Sequence, residues 1–305
     1  MQLGIKTGLK GDYQAEITQA KPDFVEVWFN AGKADHYQDL FGYLKRQKVP
    51  FGLHFWGALP DQTLANLAYP DRMINHESFK LYRLTLEIAA RHRCLYLNLH
   101  PAGYRLTRVD FQKEEFKPFS KPAAKKICLI NFIHHLSSLG ELGQKLGVQI
   151  LVESAPKYAN GTPWTGPAGR LQPVYIGEIP VTDLALDLFN LPNIYFANDF
   201  GHTASALTNV SRTQISDFLI TTTRKFFDHT RLLHIGYLLP PYIGTDYHGS
   251  LLYQEFSTDA AVPNKSEMIK LLKLFVKRAD VLALVEPESN HVGNFQALNQ
   301  LVLAC

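Results

Sequence analysis

Nine residues in this chain are of the types that hold divalent metal ions: His54, His100, Glu153, Asp199, His202, His234, Asp246, His248 and Glu286. Six of them end short apolar runs: FGLH at His54, LYLNLH at His100, VQILVE at Glu153, IYFAND at Asp199, RLLH at His234 and VLALVE at Glu286. The other three follow closely. His202 lies three residues past Asp199, in DFGH, and Asp246 and His248 form a D-Y-H pair. Residues two apart in extended backbone point the same way, so that pair can grip one ion. Imidazole and carboxylate without thiolate suit zinc first, with manganese or iron as alternatives. At three or four ligands per ion, the set serves two or three ions. Taken alone, a strand-end histidine is more often a hydrogen-bonded core residue, and a carboxylate there more often caps the next helix. The joint pattern outweighs that. Six unpaired ionisable groups in one place would each cost several kcal/mol, and divalent cations are the economical compensation. The remaining histidines, His36, His76, His92, His134, His135, His229 and His291, have no ligand partner at suitable spacing.

Short apolar runs bounded by turn residues read as buried parallel strands. With Leu3 to Thr7 (LGIKT) and Phe24 to Phe29 (FVEVWF) the strand candidates number eight. Helical patterns fall between them: Ser78 to His92, Lys121 to Leu146 with Pro122 in its first turn and Gly147 past its end, a short Pro180 to Phe189, Ser211 to Asp228, Asn264 to Ala279 and Gly293 to Leu303. Strand and helix repeated eight times predict a single-domain α/β protein, a (β/α)₈ TIM barrel over 1–305. A doubly wound sheet would not gather six strand ends around one point. Long, structureless loops are expected at 101–120, 154–179 and 236–263, walling a pocket above the ligands.

The rest of the composition excludes more than it assigns. A net charge of +3 permits a polyanionic partner without requiring one. The three cysteines, Cys94, Cys128 and Cys305, form no CxxC pair, so neither a disulfide framework nor a thiolate zinc site is expected. Cys94 and Cys128 read as small core residues. No signal-peptide core and no eighteen-residue apolar stretch is present, so a cytoplasmic protein with no membrane contact is expected. No obligate protein partner is evident.

With these motifs in place, the chain resembles the xylose-isomerase-like TIM-barrel superfamily, and within it the endonuclease IV branch of abasic-site endonucleases. The anchors are His54 after strand three, LHPAG with His100, VES with Glu153, NDFGH with Asp199 and His202, LLHIG with His234, D-Y-H with Asp246 and His248, and LVEPES with Glu286. The resemblance implies three ions. His54, His100 and Glu153 would hold one. Glu153 would bridge to a second held with Asp199, His234 and Glu286, and His202, Asp246 and His248 would hold the third. It implies a phosphoesterase that cleaves a phosphodiester, at abasic sites in DNA, with a metal-activated water. The chain departs from that branch in its loops. The glycine-rich turn after strand one is replaced by Thr7, Gly8, Leu9 and Lys10. Ser154, Ala155, Pro156 and Lys157, then an insert through Trp164, Gly166 and Gly169, stand where an Ala-Gly-Gln-Gly stretch is expected.

The alternative within the same superfamily is a sugar or sugar-phosphate isomerase or epimerase. It needs a single ion on Glu153, Asp199, His234 and Glu286, with Glu153 and Glu286 as the catalytic pair moving protons beside a carbonyl. The partner is accordingly DNA or a small phosphorylated or sugar substrate. Trp56 is a candidate for stacking on it. Arg105, Lys157 and Arg170, with Lys33 and Arg108, are candidates for phosphate contact, weighed evenly against ordinary solvated surface.

Overall fold

The computed structural model describes residues 1–113, 115–161 and 171–305. Eight parallel strands close into one barrel: β1 (Gln2–Thr7), β2 (Phe24–Asn30), β3 (Phe51–Trp56), β4 (Tyr96–Leu99), β7 (Gln149–Glu153), β10 (Ile194–Asp199), β11 (Thr230–His234) and β12 (Leu282–Val285). Each pairs with its neighbours along the chain, and β1 closes on β12 with Ile5 opposite Val285. The remaining strands are short antiparallel pairs above the mouth, β5 (Thr107–Asp110) with β6 (Glu115–Pro118), and β8 (Ala159–Asn160) with β9 (Pro173–Val174). The helices are α1 (Tyr13–Ala20), α2 (Gln38–Gln47), α3 (Arg72–Arg91), α4 (Lys125–Leu146), α5 (Phe200–Ser205), α6 (Arg212–Lys225), α7 (Lys265–Phe275) and α8 (His291–Leu303). The chain is a single-domain α/β TIM barrel.

Side chains alternate across a strand, so one phase of each strand fills the barrel. That phase reads Gly4 and Lys6 on β1, Phe24, Glu26 and Trp28 on β2, Gly52, His54 and Trp56 on β3, and Tyr96 and Asn98 on β4. It continues with Leu151 and Glu153, Ala197 and Asp199, Leu232 and His234, and Leu284 ahead of Glu286. The lower positions are apolar and pack together as a plug of Phe24, Tyr96, Leu151, Ala197, Leu232 and Leu284. Two glycines make that plug possible. A Cβ on Gly4 would lie 2.5 Å from the Phe24 ring, and one on Gly52 would lie 2.2 Å from the Tyr96 ring. The upper positions are polar, and the chemistry sits there. A second, larger core lies between the strands and the helix ring and buries Cys94 and Cys128 as free thiols.

Several boundaries differ from the sequence pattern. Helix α3 starts at Arg72, where the Asp71 side chain accepts the Met73 and Ile74 N–H groups, so Ser78 is mid-helix. Helix α4 starts at Lys125, because the residue before a proline is driven extended and Pro122 falls in the lead-in. Pro180 to Phe189 forms two 3₁₀ turns, Val181–Asp183 and Leu186–Asn190. Ser211 and Asn264 do cap α6 and α7, each in a full capping box, and Gly147 ends α4 in the left-handed region at φ 72°. The long loops are not structureless. The β5–β6 hairpin lies within 101–120, and isolated bridges join Thr63 to Arg108, Gly103 to Glu178 and Tyr158 to Thr245 across the mouth. Among the described residues no helix is long and apolar enough to cross a membrane.

Candidate metal centre

All nine ligand candidates converge at the carboxyl end of the barrel. Their ligand atoms form three groups, each within 4.8 Å: His54, His100 and Glu153; Glu153, Asp199, His234 and Glu286; and His202, Asp246 and His248. Glu153 is central. Its Oε1 lies 3.1 Å from His202 Nδ1, 3.2 Å from His234 Nδ1 and 3.5 Å from His100 Nε2, while Oε2 lies 3.7 Å from His54 Nε2. Metal–ligand bonds of about 2.0–2.1 Å set tetrahedral ligand atoms about 3.3 Å apart, which is the spacing seen here. Asp199 is the cap of the next helix and is also placed to be a ligand. Its Oδ1 accepts the His202 N–H at 2.7 Å as a helix cap, and its Oδ2 faces His234 Nδ1 at 3.8 Å.

The outward nitrogens of the histidines show why these rings fit a metal. Nδ1 of His202 lies 2.9 Å from the Ser154 carbonyl, and Nδ1 of His248 lies 2.9 Å from the Glu286 carbonyl. A carbonyl only accepts, so both rings donate from Nδ1 and turn Nε2 toward Asp246, at 3.0 and 3.2 Å, the atom that would meet an ion once it has lost its proton. His100 is held the same way by Glu178, 2.9 Å from Nδ1. His54 places Nδ1 3.2 Å from Glu26 Oε1. His234 presents Nε2 to the same oxygen at 3.1 Å, outside hydrogen-bonding geometry. Ligating imidazoles are ordinarily fixed by such outer partners. The inward atoms lack hydrogen bonds: His54 Nε2, His234 Nδ1 and Glu153 Oε1 are buried with no partner. Buried polar atoms are rarely left so, and a divalent ion would satisfy these.

The electrostatics point the same way. Burial alone would push His234 down, but Glu153 and Glu26 carry it up to about 9. Burial likewise opposes the charge on His100, and Glu178 and Glu153 overcome it to reach about 10. For His202 burial is overcome by Asp199 and Asp246, which hold the ring well above its usual value. His54 goes the other way, held at about 3 by burial and by the Lys6 ammonium despite Glu153 and Glu26. Burial would raise Glu153, yet His234, His54 and His100 keep it well below the carboxylate range. A cluster that keeps Glu26, Glu153 and Asp246 ionised and raises His100, His202 and His234 is one in which cations are already in demand.

The candidates for substrate contact fare unevenly. Trp56 lies at the rim, its ring 5.3 Å from that of His100 and 6.2 Å from that of His54. Trp28 and Phe111 pack beside it at 6.3 and 6.4 Å, making an aromatic wall. Arg105 lines the adjoining cleft with Phe55, Asn66 and Glu178, but its Nε donates to the Ser120 carbonyl. Lys157 donates to Thr208 Oγ1 at 2.7 Å, and Arg108 lies over the Phe119 ring. Arg170, Trp164, Gly166 and Gly169 lie outside the described residues.

No family model and no curated protein sequence matches the chain. Solved structures do match it along its whole length. A D-tagatose 3-epimerase-like protein superposes with a TM-score of 0.65 at 14% identity, covering 100% of this chain and 97% of its own. A 3-keto-D-glucoside 4-epimerase from E. coli gives 0.61 at 13% identity, covering 100% of both chains. Endonuclease IV from Thermus thermophilus gives 0.57 at 14% identity, again covering 100% of both. The shared fold is the (β/α)₈ TIM barrel. At these identities the likeness is one of fold, and several of the matched structures are sugar epimerases.

Residues missed by the strand-end reading complete the site. Glu26, on β2 and fully buried, touches His54 and His234 and accepts the Tyr96 hydroxyl at 3.0 Å. Lys6 reaches Glu286 and His54 from β1. Asn98 donates to Glu153 Oε2 at 2.5 Å, and Glu178 holds His100. A signal for two of them existed. Lys6 and Glu26 are charges inside otherwise apolar runs, in the same alternating phase as the ligands.

Proposed function

We propose that this protein is a metal-dependent enzyme acting on a small sugar or sugar phosphate, moving a proton at the carbon beside a carbonyl as an epimerase or isomerase does. The observation that carries the reading is the set Glu153, Asp199, His234 and Glu286, in which both glutamates place an oxygen 3.2 Å from the same His234 Nδ1. A divalent ion held by these four supplies polarisation of a substrate carbonyl, which makes the adjacent C–H acidic. Glu153 and Glu286 come from β7 and the end of β12, with β10 and β11 between them, so they meet a bound substrate from different sides. One takes the proton and the other returns it. Asn98 fixes Glu153, and Lys6 fixes Glu286. The Trp28, Trp56 and Phe111 wall offers an apolar surface to a sugar ring and excludes water. The stitched loops favour a small molecule over a duplex, and Arg105 and Lys157 are engaged internally. The sugar epimerases among the matched folds support the same choice.

Phosphodiester hydrolysis is the second reading, favoured by the other two ligand groups. The six carboxylates Glu26, Glu153, Glu178, Asp199, Asp246 and Glu286 against the Lys6 ammonium leave a charge of −5 when the histidines are neutral. One divalent ion leaves −3, whereas two or three bring it to −1 or +1. The test is proton exchange. With zinc or manganese loaded, incubation with ketopentoses and ketohexoses in D₂O should place deuterium at one carbon beside the carbonyl. Glu153→Gln and Glu286→Gln should each slow this by about 10²–10⁴. Absence of exchange with any sugar, combined with metal-dependent cleavage of abasic-site duplex or a simple phosphodiester, would replace the sugar reading with the hydrolytic one.

A further inference from the structure

The deepest part of the cluster contains a cation already. Lys6 extends from β1 into the barrel, and its ammonium contacts Glu286 Oε1 while lying 2.6 Å from His54 Nδ1 and 3.4 Å from Glu26 Oε1. Around it, Glu26, His54, His234 and Glu286 form a fourth group of ligand atoms within 4.8 Å of one another, below the three that hold the nine candidates. By residue type and spacing this cage could hold a divalent ion, and it shares His54, His234 and Glu286 with two of the other groups. Glu26, His54 and His234 are each at least 98% buried, so two carboxylates here would be costly without a counter-charge. An ammonium and a divalent ion cannot both occupy it, because like charges that close repel strongly at the effective dielectric of a protein.

We propose that Lys6 is a built-in cation that fills this deep cage, neutralises Glu26 and Glu286, and confines metal ions to the three shallower groups. The inference rests on the metal-centre reading shared by both proposed activities. It explains two features of the site. Glu26 has the residue type and position of a ligand, yet its oxygens are taken up by Lys6, Tyr96 and the outward nitrogens of His54 and His234. It therefore acts as a positioning residue, for His54 through a hydrogen bond and for His234 through charge alone. Lys6 also bears on the His54 tautomer. His54 Nδ1 can accept from Lys6 or donate to Glu26, and only the second leaves Nε2 free for an ion. Two carboxylates flank the ammonium, so Lys6 keeps its partners when His54 donates to Glu26.

The test counts metal and needs no activity. Wild type, Lys6→Met and the double variant Lys6→Met/Glu26→Gln are loaded with zinc, desalted and analysed for zinc per chain. Lys6→Met should carry about one ion more than wild type, held by the Glu26 and Glu286 carboxylates with water, since His54 and His234 already serve the shallower groups. The double variant should return to the wild-type number. A folded Lys6→Met with the wild-type number overturns the proposal while leaving the metal centre standing. A wild type that binds no zinc overturns the metal centre and this inference with it. Should Lys6→Met fail to fold, the double variant decides. If it folds with the wild-type count, Lys6 is the counter-charge of Glu26, and if it also fails, the proposal is wrong.

Discussion

Glu26→Gln is the most informative single change, because Glu26 acts on two ion positions and is a stranger to the third. One carboxylate oxygen faces His54 Nδ1 at 3.2 Å and His234 Nε2 at 3.1 Å, and the other accepts the Tyr96 hydroxyl. Glutamine keeps the volume but removes the charge and turns one acceptor into a donor. The tyrosine or the imidazoles then lose their partner. Loss of such an outer partner costs about 10–100-fold in metal affinity, or about 1.4–2.7 kcal/mol for each ion affected. The groups containing His54 and His234 should both weaken by that amount. The group of His202, Asp246 and His248 should not, since its rings are held by the Ser154 and Glu286 carbonyls. A zinc titration against a competing chelator should therefore show two weakened phases and one unchanged. Wild-type affinity in all phases would refute the orienting role. Equal weakening of all of them would mean that Glu26 supports the barrel as a whole and not two particular rings.

Four further outcomes are expected. Asp246→Asn should lose one ion per chain by elemental analysis and, on the sugar reading, leave proton exchange at the wild-type rate; on the hydrolytic reading it abolishes cleavage. Zinc loading at pH 7 should release about three protons, from His100, His202 and His234, because ligating imidazoles must be neutral; calorimetry in buffers of different ionisation enthalpy measures this. His234 at about 9 and His100 at about 10 are raised, so they stabilise the metal-free protein fully below an unfolded value of about 6.5 and lose that contribution as pH rises through 9 and 10. The metal-free melting temperature should therefore fall over that window, with proton release falling alongside it. Finally, Gly52→Ala should destabilise by about 1–3 kcal/mol in denaturant unfolding, since its Cβ would meet the Tyr96 ring at 2.2 Å. It should also weaken the zinc phases that depend on Glu26, which Tyr96 holds.

The strand ends were legible in the sequence because burial leaves a strong imprint there: an apolar run that stops on a ligand can only be a strand delivering that ligand to the mouth. The closed eight-strand order followed, as did the caps at Ser211 and Asn264. The loops were opaque for a physical reason. Their structure, the β5–β6 hairpin and the bridges from Gly103 to Glu178 and Tyr158 to Thr245, depends on contacts between segments far apart in the chain. Local composition carries no trace of such pairing. Glu178 is therefore invisible as the partner of His100, being 78 residues away on a different loop.

Lys6 and Glu26 are a different case, since their local signal was present and pointed to chemistry of its own. A charge in the middle of a buried strand must be neutralised inside the barrel, so each such residue implies a partner in the same layer. With Glu26 on β2 and Lys6 on the adjacent β1, the register places Lys6 directly opposite Glu26. The pairing thus follows from two apolar runs and the alternation of a strand. The number of metal ions a barrel of this kind can hold is then set by the cations its own strands carry as well as by its ligand count. A lysine among the ligands, in contact with Glu286, takes up a site that four correctly placed side chains would otherwise make.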